Sequence, residues 1–128
     1  MKKALGKVIV AFLVCLLSFA VVSPSPAMAD EYYCILELEP DCLRQLPFSG
    51  DVLYVDIPEF GVNFIDVTFS NFSNNLAVIN STVDNPIEIL PNSVVGPRTY
   101  EVTPRSSETF SNESPFPDTT VQLRVFGY

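Results

Sequence analysis

The chain has 128 residues, seven basic and fifteen acidic, with no histidine and no tryptophan. All three lysines lie within the first seven residues, so Asp30 to Tyr128 sets four arginines against fifteen carboxylates, a formal charge of −11. Such a surface is repelled by nucleic-acid phosphates and anionic headgroups, which excludes both as partners, and without histidine there is no Ser-His-Asp triad, Cys-His dyad or histidine-ligated metal.

The first element is a basic stretch with Lys2, Lys3 and Lys7, followed by an apolar run from Val8 to Val22 broken only by Ser18. Fifteen residues fall short of the roughly 20 needed to span a bilayer core, and Pro24 and Pro26 end any helix. Ala27 and Ala29 put small side chains where a signal peptidase requires them, so residues 1–29 read as a secretory signal peptide cut after Ala29. An uncleaved membrane anchor is the competing reading. Cys15 follows Val14 rather than a small residue and is assigned no role. The expected location is extracytoplasmic, periplasm or cell surface, with no membrane contact once the leader is removed.

Residues 30–48 form an N-terminal segment with Cys34 and Cys42, the two cysteines beyond the leader. In an oxidising compartment a disulfide is expected, closing a short loop bent at Pro40 and Asp41 and contributing about 2 to 3 kcal/mol. Free thiols or cysteines paired between subunits are the alternatives. The strand-like start, with Tyr32, Tyr33, Leu36 and Leu38, is expected to lie outside the main core.

Residues 49–128 show apolar side chains at period two, punctuated by Pro, Gly, Asn, Asp and Ser. Strands are predicted over 51–57, 62–69, 76–80, 87–90, 98–103, 107–111 and 120–127. Leu53, Val55 and Ile57 are the expected core face of the first, Ile65, Val67 and Phe69 of the second, and Val121, Leu123 and Val125 line one face of the last. No sustained helical stripe appears. Short strands separated by frequent turn signals predict an all-β chain, a single small antiparallel β-sandwich of immunoglobulin-like or jelly-roll type. Residues 70–75 and 111–118 read as loops. Phe72 and Phe116 fall in them, either as plugs for the end of the sandwich or as anchors for a partner. Asn71, Asn80 and Asn112 begin Asn-x-Ser/Thr sequons, which matter only in a eukaryotic secretory pathway.

With no lysine beyond the leader, Schiff-base and Ser-Lys chemistry are excluded there, and the scattered glycines form no phosphate-cradling loop. Carboxylates remain. Asp51, Asp56 and Glu59 cluster in sequence, with Asp66 one strand later; they are weak candidates for calcium, which needs several loop oxygens, or for a hydrolytic pair roughly 5 to 9.5 Å apart. No other cofactor is implied.

The chain ends on its cleanest strand, and an edge strand is a template for another chain. Residues 119–128 resemble the closing strand of secreted pilus subunits, without a diagnostic motif. The leading expectation is a secreted, non-catalytic β-sandwich with a structural, adhesive or assembly role at the cell surface. Its determinants would be Tyr32, Tyr33, Leu36, Leu38, Val121, Leu123 and Val125. The alternative is a monomeric secreted ligand- or protein-binding module, inhibitor-like or calcium-dependent, that uses Phe72, Phe116 and the loops near Asp51. A carboxylate-dependent hydrolase ranks third.

Overall fold

The computed structural model describes residues 29–128; the leader lies outside the described residues except for Ala29. Nine strands among the described residues form two sheets packed face to face, with no helix. The five-stranded sheet runs β1 (Glu31–Ile35), β3 (Val52–Asp56), β8 (Ser107–Asn112), β5 (Ala77–Ser81), β6 (Ile87–Ile89). The four-stranded sheet runs β2 (Asp41–Leu46), β9 (Val121–Gly127), β4 (Phe64–Asn71), β7 (Ser93–Glu101). Every pairing is antiparallel except β1 with β3. The chain changes sheet at every connection but β5–β6, so consecutive strands contribute one wall and then the other.

Period-two patterning produces this architecture because a strand between core and solvent must send alternate side chains to each. Leu53 and Val55 of β3, Ile65, Val67 and Phe69 of β4, and Val121, Leu123 and Val125 of β9 all lie in the core, as their alternation predicts. Phe69 meets Phe110 of β8 across the sandwich, ring centroids 6.0 Å apart. The strand predicted over 98–103 instead begins at Ser93. Gly96 and Pro97 form an irregularity opposite Thr68 where β7 carries an extra residue. Gly96 has φ +108°, and a Cβ there would stand 2.7 Å from the Val67 carbonyl oxygen, so glycine is required.

Two expectations are corrected. The N-terminal segment does not lie outside the core: β1 and β2 are the edge strands of the two sheets, and Cys34, Leu36, Cys42 and Leu46 are buried. The Cys34–Cys42 disulfide forms within the chain and links one sheet to the other rather than closing a peripheral lasso. The final strand is not an edge, because β9 lies between β2 and β4 with Val121, Leu123 and Val125 fully enclosed. For β9 the reason is pairing on both sides, which encloses its apolar face; β1 and β2 are paired on one side only, and their inward residues are enclosed because the two strands belong to facing sheets.

The side edges are closed differently. Beside the disulfide, the Arg44 Nε–H donates to the Tyr33 carbonyl and its guanidinium pairs with Glu39 at 2.7 Å. At the opposite edge Asp84, in the β5–β6 loop, accepts hydrogen bonds from the Tyr100 hydroxyl at 2.6 Å and from Arg98 at 3.0 Å, both on β7. These bonds hold the Asp84 carboxyl below its usual range. Burial and then the Asp84 partner push the Tyr100 hydroxyl up to about 12.

Candidate protein-binding face

The buried polar residues among those described, Asp51, Asn71, Asn112, Ser114 and Thr119, all gather at one end of the sandwich. The register requires this: Asn71 and Leu46 both oppose Val121, and Ser111 opposes Val52. Asn112 donates to the carbonyls of Leu46 and Thr119 while its Oδ1 accepts the Ser114 N–H and hydroxyl. Asn71 repeats the pattern, donating to Asn75, Ile89 and Leu90 carbonyls and accepting from the Ser73 N–H and hydroxyl. In both cases the serine is the third residue of a sequon. These two sequons are internal Asx locks that satisfy backbone carbonyls at strand ends, and their buried side-chain nitrogens are already spent on those bonds.

The other end is apolar. Leu36, Ile57, Val62 and Val102 are buried there, and above them opens a groove of about 400 Å³ in which Leu36, Pro40, Pro58, Phe60 and Val62 are joined by the carboxylates of Glu37 and Glu59. A Cβ on Gly127 would lie 2.9 Å from Leu36 Cδ1, so the bare backbone lets Leu36 cover this end. Phe60 is 80% exposed and Leu38 78%.

From this end a row of aromatic rings runs along the outer face of the four-stranded sheet. Phe126 stacks on Tyr128 at 5.7 Å, and Tyr128 on Phe64 at 5.9 Å. Alternation on β9 turns Val125 and Gly127 inward and therefore Phe126 and Tyr128 outward. The Asp66 carboxylate accepts the Tyr128 hydroxyl at 3.1 Å and the Thr99 hydroxyl at 2.7 Å, which orients the ring. Beside the row, Arg124 makes two hydrogen bonds to Asp41, at 2.9 and 2.6 Å, and holds that carboxyl below its usual range. Leu43 stands next to this pair, half exposed. The face therefore has an apolar centre and a polar rim, the composition of a protein-binding patch.

The residues singled out in the sequence are not brought together. Asp51 is buried at the polar end, accepting the N–H groups of Asp30 and Phe48. Asp56 lies at the far end of β3 on its outer face, and Glu59 pairs with Arg105 in a separate loop. Among the described residues no group of three acidic, cysteine or histidine side chains converges on a point where a metal could sit, so the calcium grouping is not formed. Asp66 belongs to the other sheet from Asp56. The assembly set is also divided. Tyr32 packs partly against the core, Tyr33 stacks on Tyr54 at 5.4 Å on the outside of the five-stranded sheet, Leu36 is buried and Leu38 exposed. Phe72 and Phe116 are 57% and 50% exposed, while Asn71 and Asn112 are buried.

The row Phe64–Tyr128–Phe126 was missed as a unit in the sequence. Phe64 was legible on the wet face of its predicted strand, and Phe126 alternates outward, but their adjacency depends on the pairing of β4 with β9.

No protein-family model matches the sequence, and no curated protein is similar to it. Some solved structures are distantly similar to it. The Drosophila NLP core, described in terms of pentamer formation and histone binding, is 15% identical, with 70% of this chain and 99% of that one covered and a TM-score of 0.47. Aeromonas hydrophila PliG, a periplasmic inhibitor of g-type lysozyme, is 9% identical over 78% of this chain and all of its own, with a TM-score of 0.45.

Proposed function

We propose that this chain is an extracytoplasmic, non-catalytic protein-binding module, and that its binding surface is the row Phe64, Tyr128 and Phe126 together with Leu43 and the adjoining groove at Phe60. The observation that carries this reading is the row itself. Three stacked rings left in water on the regular face of a sheet are costly to solubility, and they offer rigid apolar area at little entropic cost on binding. The disulfide that links the two sheets fits an oxidising compartment. The −11 charge favours a partner that is basic around an apolar centre. Strand exchange at the carboxyl end, the simplest route to a surface polymer, loses its mechanism because β9 is already paired on both sides.

The test is site-specific photocrosslinking in the cell that makes the protein, with the reactive residue at position 126 and, as control, at Tyr33 on the opposite sheet. A discrete adduct at 126 that is absent at 33, and lost when Phe64 is changed to serine, supports the reading. Adducts equal at both positions, or none at 126, overturn it. An adduct with a second copy of the chain would return the assembly role to first place.

A further inference from the structure

Asp51 is a carboxylate with no exposure to solvent, a placement that demands a compensating charge or a full set of hydrogen bonds. Each of the four arginines is paired elsewhere, with Glu39, Asp84, Glu59 and Asp41. Asp51 Oδ2 accepts the Phe48 N–H at 2.9 Å, and Oδ1 accepts the N–H of Asp30 at 2.7 Å. The Asp30 carbonyl is held in turn by the Val52 N–H at 3.0 Å, so the sheet fixes where the Asp30 nitrogen stands. Ala29 and Asp30 themselves are exposed.

We propose that the Asp30 nitrogen is the amino terminus of the working protein and that Asp51 is the receptor built for its charge. Hydrolysis of the Ala29–Asp30 bond, by an endopeptidase that accepts small side chains, adds one water. Ala29 leaves as a carboxylate on the leader, and the Asp30 nitrogen becomes an α-ammonium, which titrates near 8 and is cationic at neutral pH. A nitrogen already 2.7 Å from Oδ1 thus changes from neutral donor to cation, and a hydrogen bond becomes a part-buried ion pair with no movement of the chain. A cut one residue away displaces the charge by about 3.8 Å, one Cα spacing, and leaves Asp51 without it. Asp51 therefore makes the stability of the fold depend on the position of the cut. The Tyr32 hydroxyl is pushed up first by burial and then by the charges of Asp51 and Asp30.

The sequence supplies a clean test. Residues 30–128 contain no lysine, so the α-amine is the one primary amine of the processed chain, and an amine-acylating reagent reads it alone. The chain starting at Asp30 is compared with one starting at Ala29, each with and without Asp51→Asn. The buried apolar residues all lie at 34 or beyond, so every version keeps the whole core. In the folded Asp30 chain the amine should acylate at least about tenfold more slowly than in urea, the effect of raising its pKa by one unit or more. The Ala29 chain should show no such protection and a lower melting temperature, and Asp51→Asn should abolish both differences. Sequencing the exported protein from its own cell should begin Asp-Glu-Tyr-Tyr. An unprotected amine on the Asp30 chain, equal melting temperatures for the two starts, or another natural amino terminus overturns the proposal. If Asp51→Asn fails to fold, the comparison of the two starts with Asp51 intact decides alone.

Discussion

The two ends of the sandwich solve the same problem by opposite means. At one end the sheets are joined by buried side-chain amides, a buried carboxylate and the serines that complete them; at the other by Leu36, Ile57, Val62 and Val102 under an open groove. The polar end leaves few choices, because its buried donors and acceptors, the Thr119 hydroxyl apart, each specify a partner and an orphan is expensive. The apolar end is non-directional and tolerates variation, and the exposed rings of Phe60, Phe64 and Tyr128 lie around it. The difference teaches a division of labour: the directional bonds specify the fold at one end and leave the other free to carry a surface for recognition.

That division can be broken most severely at Asn112. Asn112→Ala orphans the carbonyls of Leu46 and Thr119 and frees two Ser114 donors, so a loss of about 3 to 4 kcal/mol, or failure to fold, is expected in urea titration. A loss below about 1 kcal/mol would mean that the polar end is not the specified one. Replacing Cys34 and Cys42 together by alanine removes the covalent link between the sheets and should cost about 2 to 3 kcal/mol, read as a lower urea midpoint without a change of fold by circular dichroism.

The edge opposite the disulfide gives a pH signature. The Tyr100 pKa is raised in the folded state, so its contribution is complete below the ordinary tyrosine value and is lost as pH climbs from about 10 towards about 12. Melting temperature should fall across that window, and Tyr100→Phe should flatten the fall. Asp84 has the opposite sign. Its lowered pKa contributes stability above the ordinary aspartate value that disappears as acid protonates it, so wild type and Asp84→Asn should converge at low pH. The smallest effect on stability belongs to the recognition face: Phe64→Ser should stay within about 0.5 kcal/mol of wild type in urea titration while abolishing the adduct at position 126.

Much of the fold was legible before the structure. Alternation alone marked the inward faces of β3, β4 and β9, because burial on one side of a sheet imposes period two on any sequence that satisfies it. Cys34 and Cys42 were legible as a pair through their spacing and the compartment. Less of the candidate site was visible. Asp51 read only as a weak calcium or hydrolytic candidate, since nothing local distinguishes a carboxylate facing solvent from one facing Asp30 and Phe48. The sequons at Asn71 and Asn112 likewise read as surface features, although the serine two residues on is what completes each buried lock.

By itself, then, the sequence determined the all-β class, the two-sheet core faces, the negative charge and the exclusion of histidine and lysine chemistry in Asp30–Tyr128, because each follows from composition or from the periodicity of one strand. Only the tertiary structure decided that β9 is interior, that β1 and β2 belong to different sheets, that Phe64, Tyr128 and Phe126 form one row, and that Asp51 meets the Asp30 nitrogen. All of these are relations between segments distant in sequence, and register and strand order are chosen by the sum of packing across the whole core rather than by any stretch of the chain alone.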